Sequence, residues 1–229
     1  MLTHLVDLSH PMALPPVPHE FASSLRTSRI EGLSDAAFGI VMTILVLEIP
    51  VPELDRPTAL DIPRALLRLW PNFLGYFVSF VMLGMSWVAQ HEQFHFIKRA
   101  DQALLWMTML FLMLIATVPF TTTLIGRYLE QQAVVVLYGA HLLAISLVHH
   151  ATWRYATTNR RLVDPHIDLE DVEIHLRRSL TTPVIYLVAI GLSFLSTVLS
   201  VVVYALVPLV YGMLPSIYAK RKGARPRER

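Results

Sequence analysis

Cysteine is absent from the 229 residues, which excludes a disulfide framework, a thiolate metal site and a cysteine nucleophile. Charge is scarce as well. Asp, Glu, Lys and Arg make up 16% of the chain, against about 25% in a soluble domain. A formal charge of +2 is too small to argue for a nucleic-acid partner, and none is expected. No glycine-rich phosphate loop occurs. Nor is there an internal repeat of the kind from which many secondary transporters are built.

What is present is apolar sequence, 54% of the chain, more than a domain of this length hides in a core of its own. Five blocks approach the roughly 20 apolar residues that a helix needs to cross a bilayer. They are Leu33 to Ile49, Trp70 to Gln90, Ala103 to Ile125, Ala133 to Trp153, and Pro183 to Ile217. The last, as one helix, would measure roughly 50 Å, too long for the hydrocarbon layer. Ser196, Thr197 and Ser200 near its middle mark a polar turn that divides it in two. The fold class expected is therefore all-α, a polytopic membrane protein of six transmembrane helices with both termini cytoplasmic.

The basic residues sort accordingly. Fifteen of the 19 Lys and Arg fall on the side of the termini, and only Arg56, Arg64, Arg68 and Arg127 on the other. The positive-inside bias makes the fifteen cytoplasmic. Residues 1–28, with Pro11, Pro15, Pro16 and Pro18 beside Asp7 and Glu20, read as a disordered cytoplasmic leader rather than a signal peptide. Residues 29–217 form the membrane domain and 218–229 a basic cytoplasmic tail.

The entry to the first helix concentrates polar chemistry: Arg29-Ile30-Glu31-Gly32-Leu33-Ser34-Asp35. Ionisable groups at a membrane helix are functional candidates because burying them unpaired is costly. Helix capping by Ser34 and Asp35 is the plainer reading.

Arg29 to Pro50 resembles the start of the transmembrane protein 175 family of potassium channels, whose hallmark is R-x-x-x-F-S-D followed by an apolar helix. Arg29, Ser34 and Asp35 match, while Leu33 stands for the aromatic residue. The resemblance continues through Phe38, Ile40, Thr43 and Leu47, through Trp87-Val88-Ala89-Gln90-His91, and through Pro119 to Tyr128. Gln90 and Arg127 are further departures. The resemblance implies a potassium-selective channel in a bacterial inner membrane, assembled as a homotetramer, with the first helix of each chain lining the pore. It implies no cofactor beyond the permeant potassium ion, and no enzyme activity. Pore-lining residues carried over are Ile40, Thr43, Ile44 and Leu47.

At 100° per residue, with Ile40 at zero, Leu33 falls at about +20°, Ile44 at about +40°, Leu47 at about −20° and Thr43 at about −60°. They form one stripe. Such a stripe equally suits a face turned to lipid or to another helix. Asp35 falls at about −140°, toward neighbouring helices, with Met42 at about −160° and Val46 at about −120°. Trp87 and His91, one turn apart, share a face at the same depth as Asp35. Arg29, Ser34, Asp35, Trp87 and His91 are expected to form a structural polar network, with His91 the group through which pH would act.

One motif points to another class. His91-Glu92-Gln93-Phe94-His95 is a literal H-E-x-x-H, in which two His hold zinc and Glu activates water. A membrane zinc metalloprotease is thus the alternative. It needs a third ligand, for which His149, His150, Glu170 and Glu173 are the candidates.

Overall fold

The computed structural model describes residues 19–54 and 58–207, with side chains from Thr27 onward. The basic tail and the end of the last apolar block lie outside the described residues. Helix α1 (His19–Ile44) runs into a 3₁₀ turn (Leu45–Glu48). Next come α2 (Asp61–Arg68), α3 (Trp70–Phe96), α4 (Gln102–Ala116), α5 (Val118–Arg127), α6 (Gln132–Thr157) and α7 (Leu169–Leu192). The last, α8, is described over Thr197–Val207. No strand occurs among the described residues, only an isolated bridge between Ile97 and Val163.

Among the described residues, four segments are long and apolar enough to cross a membrane: Thr27–Glu48, Trp70–Phe96, Gln102–Arg127 and Gln132–Arg160. Their outward surface is apolar too, with Phe77, Trp106, Phe120 and Leu137 exposed. Water would not tolerate that much contiguous apolar surface, and lipid does.

Three boundaries differ from the sequence expectation. The stretch His19–Ser28, read as the end of a disordered leader, belongs to α1, because after Pro18 nothing in it breaks a helix extending backward from Leu33. The block from Ala103 to Ile125 is two helices, since Pro119 cannot donate to the Ile115 carbonyl and the chain turns at Thr117. His141 of α6 mends the break, its Nε2 2.9 Å from the Leu114 carbonyl and its Nδ1 2.9 Å from Thr121 Oγ1. Finally, α7 runs unbroken through Pro183, so the charged stretch before it is the first half of the same helix. The long last block does divide, at residues 193–196. Ser196 caps α8, accepting from the Leu199 N–H at 3.4 Å, whereas Thr197 and Ser200 lie inside that helix.

Lipid is as apolar as leucine, so packing and internal hydrogen bonds, rather than water exclusion, hold such helices together. The core bears this out. Helix α1 and the 3₁₀ turn that continues it bury Ile30, Ser34, Phe38, Val41 and Leu45, three or four residues apart along one face. Phe38 meets Phe111 of α4, ring centroids 6.0 Å apart. Between α3, α5 and α6 the buried Thr122 hydroxyl donates to Ser79 Oγ at 2.7 Å, which lies 2.8 Å from the Tyr138 hydroxyl.

At the end of the bundle where the basic residues gather, two loops are clasped together. The N–H groups of Lys98 and Arg99 both donate to the Leu162 carbonyl, at 2.8 and 3.1 Å. Beneath them Ile97, Leu104, Ala156, Leu162 and Val163 form a small second core. Asp101 caps α4 through the Leu104 N–H at 2.9 Å, accepts the Tyr155 hydroxyl at 2.6 Å and pairs with Arg161 at 3.5 Å. Burial pushes its carboxyl up, but those hydrogen bonds and the Arg161 charge outweigh it, leaving it below the ordinary 3.8.

Candidate functional site

Glu31, Ser34 and Asp35, midway along α1, face α3, where Trp87, Gln90 and His91 wait one turn apart. The Trp87 indole donates to Asp35 Oδ1 at 2.8 Å. The Gln90 amide donates to Ser34 Oγ at 3.0 Å, and that hydroxyl donates in turn to the Ile30 carbonyl at 2.9 Å. His91 Nδ1 lies 3.3 Å from Glu31 Oε1 and its ring stacks on Trp87 with centroids 6.0 Å apart. Four of the five residues expected in this network thus meet across one helix pair: Ser34, Asp35, Trp87 and His91.

Arg29 does not join them. It is exposed, and among the described residues its side chain has no hydrogen bond or ion pair. The reason is geometric: Ile30 and Ser34 carry the buried face, which turns Arg29 away from α3. Gln90 and Glu31 take the places that sequence reasoning left empty. Gln90 is buried, and its carboxamide oxygen has no hydrogen-bond partner among the described residues. The signal that could have found it is its position one turn before Phe94, on the buried face of α3.

The H-E-x-x-H does not build a metal centre. Among the described residues no group of three His, Cys, Asp or Glu could hold a metal ion. His91 faces Glu31 rather than His95, His149 is engaged by the Gln93 amide, and His150 and Glu173 are held by Ser179 and Arg177. The metalloprotease reading is therefore dropped.

The residues carried over as pore lining sit on the opposite face of α1. Ile40, Thr43, Ile44 and Leu47 are all exposed on the protomer, as is Leu33. The Thr43 hydroxyl donates to the Ile40 carbonyl at 2.8 Å, so its oxygen lone pairs are what it offers outward. Beyond Ile44 the helix tightens to 3₁₀ winding, about 120° per residue, which stacks Leu47 directly over Ile44. The same tightening swings Val46 to about −80°, toward the stripe, and Val46 is exposed. Met42 stays inward, packed on the core. At this end Glu48 accepts a hydrogen bond from the Thr123 hydroxyl, tying the 3₁₀ turn to α5.

Fold and site together define a multi-pass α-helical membrane protein whose polar side chains lock helices to one another rather than assemble catalytic chemistry. Residues 29–119 match the model of the family described as endosomal/lysosomal potassium channel TMEM175. A potassium channel of Streptomyces collinus is 32% identical, over 87% of this chain and 98% of its own length. One of Chamaesiphon minutus is 35% identical, over 82% and 94%. The crystal structure of a lysosomal potassium-selective channel TMEM175 homolog from Chamaesiphon minutus superposes with a TM-score of 0.75 at 34% identity, covering 82% of this chain and 97% of that one. The chain belongs to the TMEM175 family, whose members are ion channels and not enzymes.

Proposed function

We propose that this protein is a potassium-selective channel of a bacterial inner membrane, a homotetramer in which α1 of each chain lines a central pore. What carries the reading is the division of α1 into two faces. Phe38, Val41 and Leu45 are buried in the protomer, whereas Ile40 is 58% exposed, Ile44 42% and Leu47 76%. A pore helix needs that division: one face anchored to its own chain, the other left for the symmetry axis. Its relatives named as potassium channels match nearly end to end.

Six crossings fit the helices described: α1, α3, the α4–α5 pair, α6, α7 and α8. An even count puts both ends on one side, and the positive-inside bias makes that side cytoplasmic. Four copies of Ile40, Ile44 and Leu47 then form a hydrophobic constriction able to gate by dewetting. Aliphatic rings strip water and return nothing, so the ion that dehydrates at lower cost, potassium rather than sodium, passes more readily. Thr43 adds four outward oxygens between the rings. The network of Ser34, Asp35, Trp87 and His91, joined by Gln90, holds the pore helix to α3. Potassium is the permeant ion, and no cofactor enters the mechanism.

Flux from liposomes with opposed potassium and sodium gradients tests this. Leu47→Ser or Ile40→Asn should raise total flux and bring sodium toward potassium, while Met42→Leu should change neither. A detergent-corrected mass of one chain in the conducting preparation, or a silent stripe beside a sensitive Met42, would refute the pore assignment.

A further inference from the structure

Helix α2 supplies none of the residues assigned to the pore. Around its axis Ile62, Leu66 and Leu67 fall at about 0°, +40° and +140°, whereas Arg64, Arg68 and Asp61 fall at about −160°, −120° and −100°. One half is apolar and the other charged. Yet none of its residues is buried: Leu67 is 73% exposed, and Ile62, Leu66 and the adjoining Trp70 are exposed as well. Asp61 is engaged by the N–H and hydroxyl of Thr58, at 2.8 and 2.6 Å. Among the described residues neither the Arg64 nor the Arg68 guanidinium has a hydrogen-bond or ion-pair partner.

We infer that α2 is an interfacial helix whose apolar half lies in the acyl region of the bilayer and whose Arg64 and Arg68 bind the phosphates of anionic phospholipids. Position argues for it first. Only Leu69 separates α2 from α3, a membrane-crossing helix that opens with Trp70, the residue type that settles where hydrocarbon meets headgroups. Projecting onward into water, α2 would hold Ile62, Leu66 and Leu67 against solvent. Turned along the surface, it places all three in hydrocarbon. Charge argues second. Arginines four residues apart repel one another in water, and a negative surface relieves that repulsion. A second copy of the chain could cover the same face, but a plane of acyl chains matches an apolar half-cylinder with no further contact surface.

The lack of cysteine makes the test direct. The full-length protein carrying Leu66→Cys, Leu67→Cys or Arg68→Cys is labelled with bimane and reconstituted in phosphatidylcholine vesicles with or without phosphatidylglycerol. Labels at 66 and 67 should be blue-shifted and lose most of their emission to nitroxide-bearing lipid. The label at 68 should be quenched by aqueous iodide instead. Quenching at 67 should deepen with phosphatidylglycerol, and Arg64→Gln with Arg68→Gln should abolish that difference. The arginines contribute about five-fold each to the docked population on an anionic surface. Iodide quenching at 66 and 67 would show a helix free in water. Protection from both quenchers would show a second copy on that face, and equal quenching in the two vesicle types would remove the phosphate contact. Each of these overturns the inference, and none depends on ion flux.

Discussion

Gly139 on α6 should not tolerate a methyl group. A Cβ built there would lie 2.0 Å from Tyr204 Oη, 2.7 Å from Ile190 Cγ1 and 2.8 Å from Tyr204 Cζ. Tyr204 cannot step aside: it is 1% exposed, its ring lies edge-on to Tyr138, and its hydroxyl donates to the Val135 carbonyl at 3.3 Å. To reach ordinary contact α8 would have to move out by more than 1 Å, breaking that hydrogen bond. Overpacking costs about 1–3 kcal/mol and the hydrogen bond about 0.5–1.5 kcal/mol, so Gly139→Ala should destabilise by about 2–4 kcal/mol. For a chain of this size that is a fall in melting temperature of about 5–15 °C. Tyr204→Phe removes the closest contact but not the ring, and should restore part of the loss in the double variant. The assay is thermal unfolding of purified protein followed by monodispersity, with the parent and the three variants forming a double-mutant cycle. Equal melting of Gly139→Ala and parent, or strict additivity with Tyr204→Phe, would show that α6 and α8 are not in this contact.

Asp35→Ala and Trp87→Phe should each lower the yield of assembled protein by size-exclusion chromatography, since each strands a partner of a charge-assisted hydrogen bond of about 1.5–3 kcal/mol. The lower figure applies because Asp35 is exposed on the protomer. Arg29→Ala should leave yield unchanged, and an equal loss there would place Arg29 in the network. The clasp at the basic end should respond to acid in one direction only. Because the Asp101 carboxyl is held below 3.8, its stabilisation is present above that value and lost as pH falls through the lower folded one. Hydrogen exchange at the Lys98 and Arg99 amides, corrected for intrinsic rates, should therefore be flat from about pH 5 to 8 and accelerate only below about pH 4. Asp101→Asn should accelerate it across the whole range. A transition near neutrality would mean that some other group holds the clasp.

The four long apolar spans were legible because bilayer thickness imposes a length that sequence cannot disguise, and Trp70 to Gln90 needs nothing more. Helix ends were not. Polar residues before Leu33 carry no hydrophobic signal, though they continue the helix back to His19. Pro183 looked like a boundary and is accommodated inside α7. The eight residues of α2, with Pro63 and three charges, give no sequence signal because the segment is too short for a membrane-length criterion. At the site, the one-turn spacing of Trp87 and His91 and the azimuth of Asp35 were enough to bring α1 and α3 together. Gln90 was missed because it was weighed as a departure from a motif, when its buried side and free amide were what Ser34 required. Arg29 was included because its charge suggested a partner, and only the buried face of α1 shows that it points elsewhere.

The clasp also bears on how the chain is made. Lys98 and Arg99 leave the ribosome well before Leu162, the residue whose carbonyl receives both of their N–H groups. At synthesis rates of about 5–20 residues per second, the intervening stretch takes roughly 3–13 s to appear. During that interval the loop between α3 and α4 is unfastened, and Ile97 and Leu104 have no second core to enter. Insertion and fastening are thus separate events, and the interval between them is when a membrane chaperone or protease would find the loop between α3 and α4 open.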